Sequence, residues 1–116
     1  APEVTLPQAL KRAAERWGDK PALCVERPLP PNEGRSAPPS KSLEEWKTWT
    51  YQQYYDDVCS AAKGMIKLGA LQFDGVNILG FNSPEWFMAE VAAMTFGGKA
   101  AGIYPTDTPE QIIYKT

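Results

Sequence analysis

The chain contains no histidine, so the commonest general base and metal ligand is missing from it. Any Ser-His-Asp or Cys-His arrangement, and any histidine-ligated zinc, is excluded within these 116 residues. Cysteine is scarce as well. Cys24 and Cys59 lie far apart, without the short spacing that holds a metal, and are expected to be reduced, mostly buried thiols of an intracellular protein. Neither sign of charge is in excess: 12 Lys and Arg against 14 Asp and Glu leave a formal charge of −2. That balance supplies no general field for nucleic acid or an anionic surface, so no nucleic-acid partner is expected. Long hydrophobic runs are also missing. No stretch approaches the ~20 apolar residues of a transmembrane helix, and residues 1–20 lack the apolar core of a signal peptide.

What is present is ordinary for a globular chain, 43% hydrophobic and 22% charged, in a length that supports one domain with a modest core. Its organising stretch is a central βαβ unit over residues 75–104. Val76 to Phe81 is a short apolar run that reads as a strand, and Asn82, Ser83 and Pro84 break it as a turn. Ser83 is a good N-cap, Pro84 suits the first helical position, and Glu85 sits at the positive end of the helix dipole. Gly97 and Gly98 are the helix stop, after which Lys99 to Tyr104 reads as a second strand. A helix of this length is the spacer that parallel neighbours require, so a right-handed crossover is expected.

Around this unit the pattern predicts a helix from Thr5, its cap, to Trp17, and a strand over Pro21–Glu26. Residues 28–42, rich in Pro, Ser and Gly, read as an exposed loop. Within it Arg27-Pro28-Leu29-Pro30-Pro31 has the form of a polyproline ligand, although a hairpin connection is the preferred reading. Glu44 to Trp49 is expected to be a strand antiparallel to the first. Thr50 and Gln53 form a capping box before an amphipathic helix that Gly69 ends. Thr108-Pro109-Glu110 opens a last helix, and the chain stops soon after it. That stop, together with a helix at 84–96 that is apolar nearly all round, leads to the expectation of an incomplete N-terminal α/β domain, residues 1–116, of a larger protein.

Candidate chemistry is thin. Glu44-Glu45 and Asp56-Asp57 are adjacent pairs whose side chains diverge, so solvated surface is expected in place of an acid/base site. The aromatics Trp46, Trp49, Tyr51, Tyr54 and Tyr55 suit core packing at a strand–helix junction better than base stacking. Gly98-Lys99 fails as a phosphate loop, because Ala93 stands where its first glycine belongs and Ala100 replaces the magnesium-holding Ser or Thr. No GxGxxG follows either strand. The Asn82–Glu85 turn lies at the carboxyl end of a strand, where open α/β sheets bind ligands, yet Ser83 is explained as a cap. No catalytic, cofactor-binding or metal-binding residue is therefore assigned.

Trp49-Thr50-Tyr51, Gly75 to Phe81, Asn82-Ser83-Pro84-Glu85-Trp86, Gly97-Gly98 and Ala101-Gly102-Ile103-Tyr104, in this order and spacing, carry a resemblance. Together they resemble the N-terminal region of AMP-forming acyl-CoA synthetases, and within those the bubblegum-type long-chain fatty-acid ligases. The resemblance covers nearly the whole chain. It implies a parent that uses ATP, Mg2+ and CoA to convert a fatty acid through an acyl-adenylate to the thioester, releasing AMP and pyrophosphate. It also implies that the motifs doing this lie beyond Thr116. The chain itself would be scaffold, binding none of these groups alone, with the remainder of the ligase as its partner. A cytoplasmic parent, peripheral to intracellular membranes, is the implied location. Two rivals stand beside this reading: a stand-alone interaction module docking through the 84–96 helix or the proline loop, and a fragment of an aryl- or amino-acid-activating ligase.

Overall fold

The computed structural model describes residues 3–28 and 39–116. Its elements are α1 (Leu6–Trp17), β1 (Pro21–Val25), a 3-10 turn (Leu43–Glu45), β2 (Lys47–Thr50), α2 (Tyr51–Lys67), β3 (Gly75–Leu79), α3 (Pro84–Thr95), β4 (Lys99–Ile103) and α4 (Pro109–Lys115). The class is mixed α/β, with an antiparallel hairpin and a parallel βαβ unit, as the sequence leads one to expect. β1 and β2 pair antiparallel, Leu23 opposite Trp49 and Val25 opposite Lys47. β3 and β4 pair parallel from Gly75–Lys99 to Leu79–Ile103, with α3 as the crossover. Of the 28–42 loop, Pro28, Pro39, Ser40 and Ser42 are exposed and Lys41 is half-buried; Leu29 to Pro31 of the proline motif lie outside the described residues.

Local chemistry sets the helix starts. Thr5 with Gln8, Thr50 with Gln53 and Thr108 with Gln111 each form a reciprocal capping box, so two amides that lack helical partners are satisfied at each start. Ser83 caps α3 by accepting from the Trp86 amide at 3.3 Å. Gly97, at φ 87°, takes the left-handed turn that closes α3, and its carbonyl accepts from the Phe73 amide.

Several details differ from expectation. The strand expected from Glu44 begins at Lys47, because the Glu45 carboxylate turns back to the Ser42 amide and hydroxyl and winds residues 43–45 into a 3-10 turn. The first strand of the βαβ unit ends at Leu79 and not Phe81. The second ends at Ile103, since the Tyr104 amide donates to Asp107 Oδ2 at 2.9 Å and leaves the ladder. Gly98 is not left-handed; only Gly97 is.

The core lies between α2 and α3. Trp49, Val58, Ala62, Met88 and Ala92 form its buried cluster, and Leu10 of α1 with Leu23 and Val25 of β1 pack onto it. Alanines at 62 and 92 let the two helices approach closely while Trp49 fills the space beside them. On β3, Val76 and Ile78 turn towards α3, whereas Asn77 and Leu79 are exposed on the opposite face. On the same face Ala101 is exposed but Ile103, the partner of Leu79, is buried, so the face opposite α3 is covered only in part.

Candidate functional site

Among the described residues a concavity of about 740 Å³ opens at the carboxyl ends of β3 and β4. This is where parallel sheets present ligands, because strands end there and loops diverge. Gly80 and Gly102 form its floor, and the Trp86 indole lies across them: a Cβ on Gly102 would stand 3.3 Å from Trp86 Cζ2. Phe81, Tyr104 and Pro105 make the walls, with Asn82 as a polar group at the rim. No Lys, Arg, Asp or Glu lines it, so it is an apolar, aromatic mouth without a charge to hold a phosphate. The sequence reasoning singled out Asn82 here but missed Phe81, Trp86 and Tyr104 as lining. The available signal is the pair of glycines, one on each strand, that make room for a ring.

Charged groups near the mouth are spent on structure. Asp107 accepts from the Tyr104 amide and from Lys115 Nζ; the Lys115 hydrogen bond, with help from that amide, holds its carboxyl below the usual carboxylate range. Glu85 is paired with Arg27, 58 residues away, through two hydrogen bonds, one of them Nη2 to Oε2 at 2.8 Å. Hydrogen bonding from that guanidinium lowers the Glu85 carboxyl from 4.5 to about 2. A carboxyl that is more acidic in the fold than in the open chain stabilises the fold fully above about pH 4.5. That contribution disappears as pH falls through about 2. Both groups are about half exposed, so the gain is modest and screened by salt. Arg27→Gln is therefore expected to flatten the fall in melting temperature between pH 4.5 and 2, most visibly at low ionic strength; an unchanged profile would show that the pair contributes nothing.

The other sequence-predicted groups do not converge on this mouth. Lys99 is at the opposite end of β4, its amide donating to the Asp74 carbonyl. Glu45 is held by Ser42. Asp56 accepts from Gln52 Nε2 at 2.9 Å. Asp57, expected to be merely solvated, accepts from Trp49 Nε1 at 3.0 Å and so anchors a buried ring. The aromatic group splits: Trp49 and Tyr54 join the core, Tyr51 packs on Trp17 with ring centroids 6.3 Å apart, and Trp46 Nε1 donates to the Lys41 carbonyl. No stacking platform results. Cys24 and Cys59 are both free, but Cys24 is exposed, not buried, because β1 alternation turns Leu23 and Val25 to the core and Cys24 outwards. No helix among the described residues is long and apolar enough to cross a membrane.

A concavity at the end of parallel strands, carried on this order of elements, can be set beside known proteins. The AMP-binding enzyme family matches residues 10–115. The chain belongs to that family. It is 41% identical over 113 residues to the long-chain-fatty-acid–CoA ligase ACSBG2 of Xenopus laevis, a match covering 97% of this chain and 13% of the relative. With the long-chain-fatty-acid–CoA ligase heimdall of Drosophila melanogaster it shares 35% identity over 111 residues, 96% of the chain and 15% of the relative. The family member thus spans about one-seventh of the length of these ligases. The N-terminal subdomain of Klebsiella oxytoca NpsA superposes with a TM-score of 0.71 at 17% identity, over 92% of this chain and 23% of that one. At that identity the likeness shows the fold alone, the mixed α/β layering of an N-terminal subdomain.

Proposed function

We propose that this chain is the scaffold segment of a long-chain fatty acid–CoA ligase, and that it is inactive by itself. The observation that carries the reading is 41% identity across 97% of the chain to a ligase of which it spans only 13%. Such coverage fits an incomplete N-terminal domain over residues 1–116, whose exposed Asn77 and Leu79 on the β3–β4 face receive later segments of the parent. The parent would join a fatty acid to CoA at the expense of ATP. The described residues do not fit the groups that this chemistry needs. Among them no cluster of three or more His, Cys, Asp or Glu could hold Mg2+, and the concavity carries no cation to meet a nucleotide or CoA phosphate. Those groups are assigned to the remainder of the ligase, which is the partner of this segment. The two free thiols fit a reducing compartment, and we take the parent to be cytoplasmic.

Two assays test this together. The purified chain should show no fatty-acid-dependent exchange between pyrophosphate and ATP. Placed in the Xenopus ligase in exchange for the matched 113 residues, it should yield a soluble enzyme that still forms palmitoyl-CoA. Exchange by the chain alone, or a folded chimera without ligase activity, would sink the reading.

A further inference from the structure

The Tyr104–Pro105 wall of the concavity is tied to α4 through a single carboxylate. Asp107 closes a tight turn with Tyr104: its amide donates to the Tyr104 carbonyl at 2.9 Å, and its Oδ2 accepts from the Tyr104 amide, also at 2.9 Å. Pro105 takes the second position of that turn, where its fixed φ suits the bend. The wall needs this tie. Tyr104 is 71% exposed, so packing does little to hold its ring where it lines the mouth. Lys115, in the last turn of α4, reaches back eight residues and places its Nζ on the same Oδ2. The ammonium also stands 5.5 Å from the centre of the Tyr104 ring, within range of cation–π attraction.

The helix depends on that contact in turn. With seven residues, α4 has a length at which a helix in water is marginal without tertiary support. Of its side chains only Ile112 is half-buried and the rest are exposed, so no apolar face docks it on the sheet or on another helix. It is held by the Thr108–Gln111 capping box at its start and by the Lys115 contact at its end. Wound, the segment from Asp107 to Lys115 spans roughly 12 Å, which the two side chains together bridge; extended, it spans roughly 26 Å. The docked ammonium fixes the orientation of the carboxylate, so the Tyr104 amide meets a positioned acceptor in place of a rotating one. In that arrangement the Asp107 side chain is only 10% exposed, which limits competition from water.

We propose that Asp107 is a positioning residue that couples α4 to the concavity: winding of α4 docks Lys115 on its carboxylate and fixes the Tyr104–Pro105 wall, and unwinding releases it. The coupling stands on contacts within the chain and does not rest on the ligase reading.

Amide hydrogen exchange of the 116-residue chain, followed by NMR, tests it. Lys115→Gln leaves the bonds of the turn itself intact and is expected to speed exchange of the Tyr104 amide by about fivefold, the upper range for a partly exposed ion pair. Asp107→Ala removes both bonds to the carboxylate and should speed it by about tenfold or more. Ile113→Gly alters none of Tyr104, Asp107 and Lys115 but weakens α4, and it too should speed exchange at Tyr104, by about threefold. Because coupling is reciprocal, Asp107→Asn, which keeps an acceptor for the Tyr104 amide but loses the charge, should speed exchange of the Ile112 and Thr116 amides of α4. Raised salt should speed exchange at Tyr104 in the native chain and not in Lys115→Gln. The Ala92 amide, in the core, is the internal reference and should be unchanged throughout. Two results would overturn the proposal. Exchange at Tyr104 that is indifferent to Lys115→Gln or to Ile113→Gly would make the turn a purely local structure. An equal change at Ala92 would assign the effect to opening of the whole fold.

Discussion

Trp49→Ala is expected to destabilise the fold by about 3–5 kcal/mol, the range for removing a large aromatic from a packed core. Trp49 is 7% exposed and belongs to the cluster with Val58, Ala62, Met88 and Ala92. Its loss opens a void where β2, α2 and α3 meet, and the alanines around that void are too small to fill it. The indole also donates to Asp57 Oδ2 at 3.0 Å, and Lys47 Nζ lies 4.2 Å from the ring centre, so a polar anchor disappears with the apolar surface. Against the roughly 5–15 kcal/mol of a typical domain this is about a fifth or more of the whole. Urea titration followed by far-ultraviolet circular dichroism measures it, as a lower midpoint with an unchanged slope. A loss of less than about 1 kcal/mol would place the ring outside the core that holds the layers together.

Met88→Ala is the second large expectation, at about 2–5 kcal/mol. Met88 is 8% exposed on α3, and its side chain belongs to the same cluster. With Ala92 it is part of the joint between the βαβ unit and the rest, formed by α3 packing on α2. In hydrogen exchange, β3 and β4 amides are expected to lose more protection than those of β1 and β2. Equal loss in both sheets would mean that the chain opens as one unit whichever side is weakened. Because Trp49 and Met88 share one cluster, the double variant should cost less than the two single losses together.

Both substitutions concern residues whose role was only partly legible in advance. The helix starts were readable because a cap and its reciprocal partner lie three residues apart, as in Thr50 and Gln53. The same pattern at Ser42 and Glu45 was hidden inside a stretch that looks extended, and the local hydrogen bonds prevailed there. Trp49 was readable as core, but not its anchor on Asp57, since adjacent acids on an exposed helix face carry no mark of which one reaches a ring on the preceding strand. The candidate mouth was half legible. Its position at the strand ends follows from the βαβ pattern, and Asn82 was in view. Its walls depend on Trp86 swinging over Gly102, a contact between residues that are adjacent only once β3 and β4 pair.

By itself the sequence determined the element order, the α/β class, the hairpin and the parallel crossover. Those follow from apolar period, capping residues and glycine stops, which act over a few residues. It also carried the family, because ordered motifs along nearly the whole chain survive as sequence. Only the tertiary structure decided that Arg27 meets Glu85, that Ile103 is buried while its partner Leu79 is exposed, that Cys24 faces solvent, and that Phe73 is exposed in a left-handed turn. Each of these depends on how α2 packs on α3 and sets segments far apart in sequence against one another, and no local rule of spacing contains that distance.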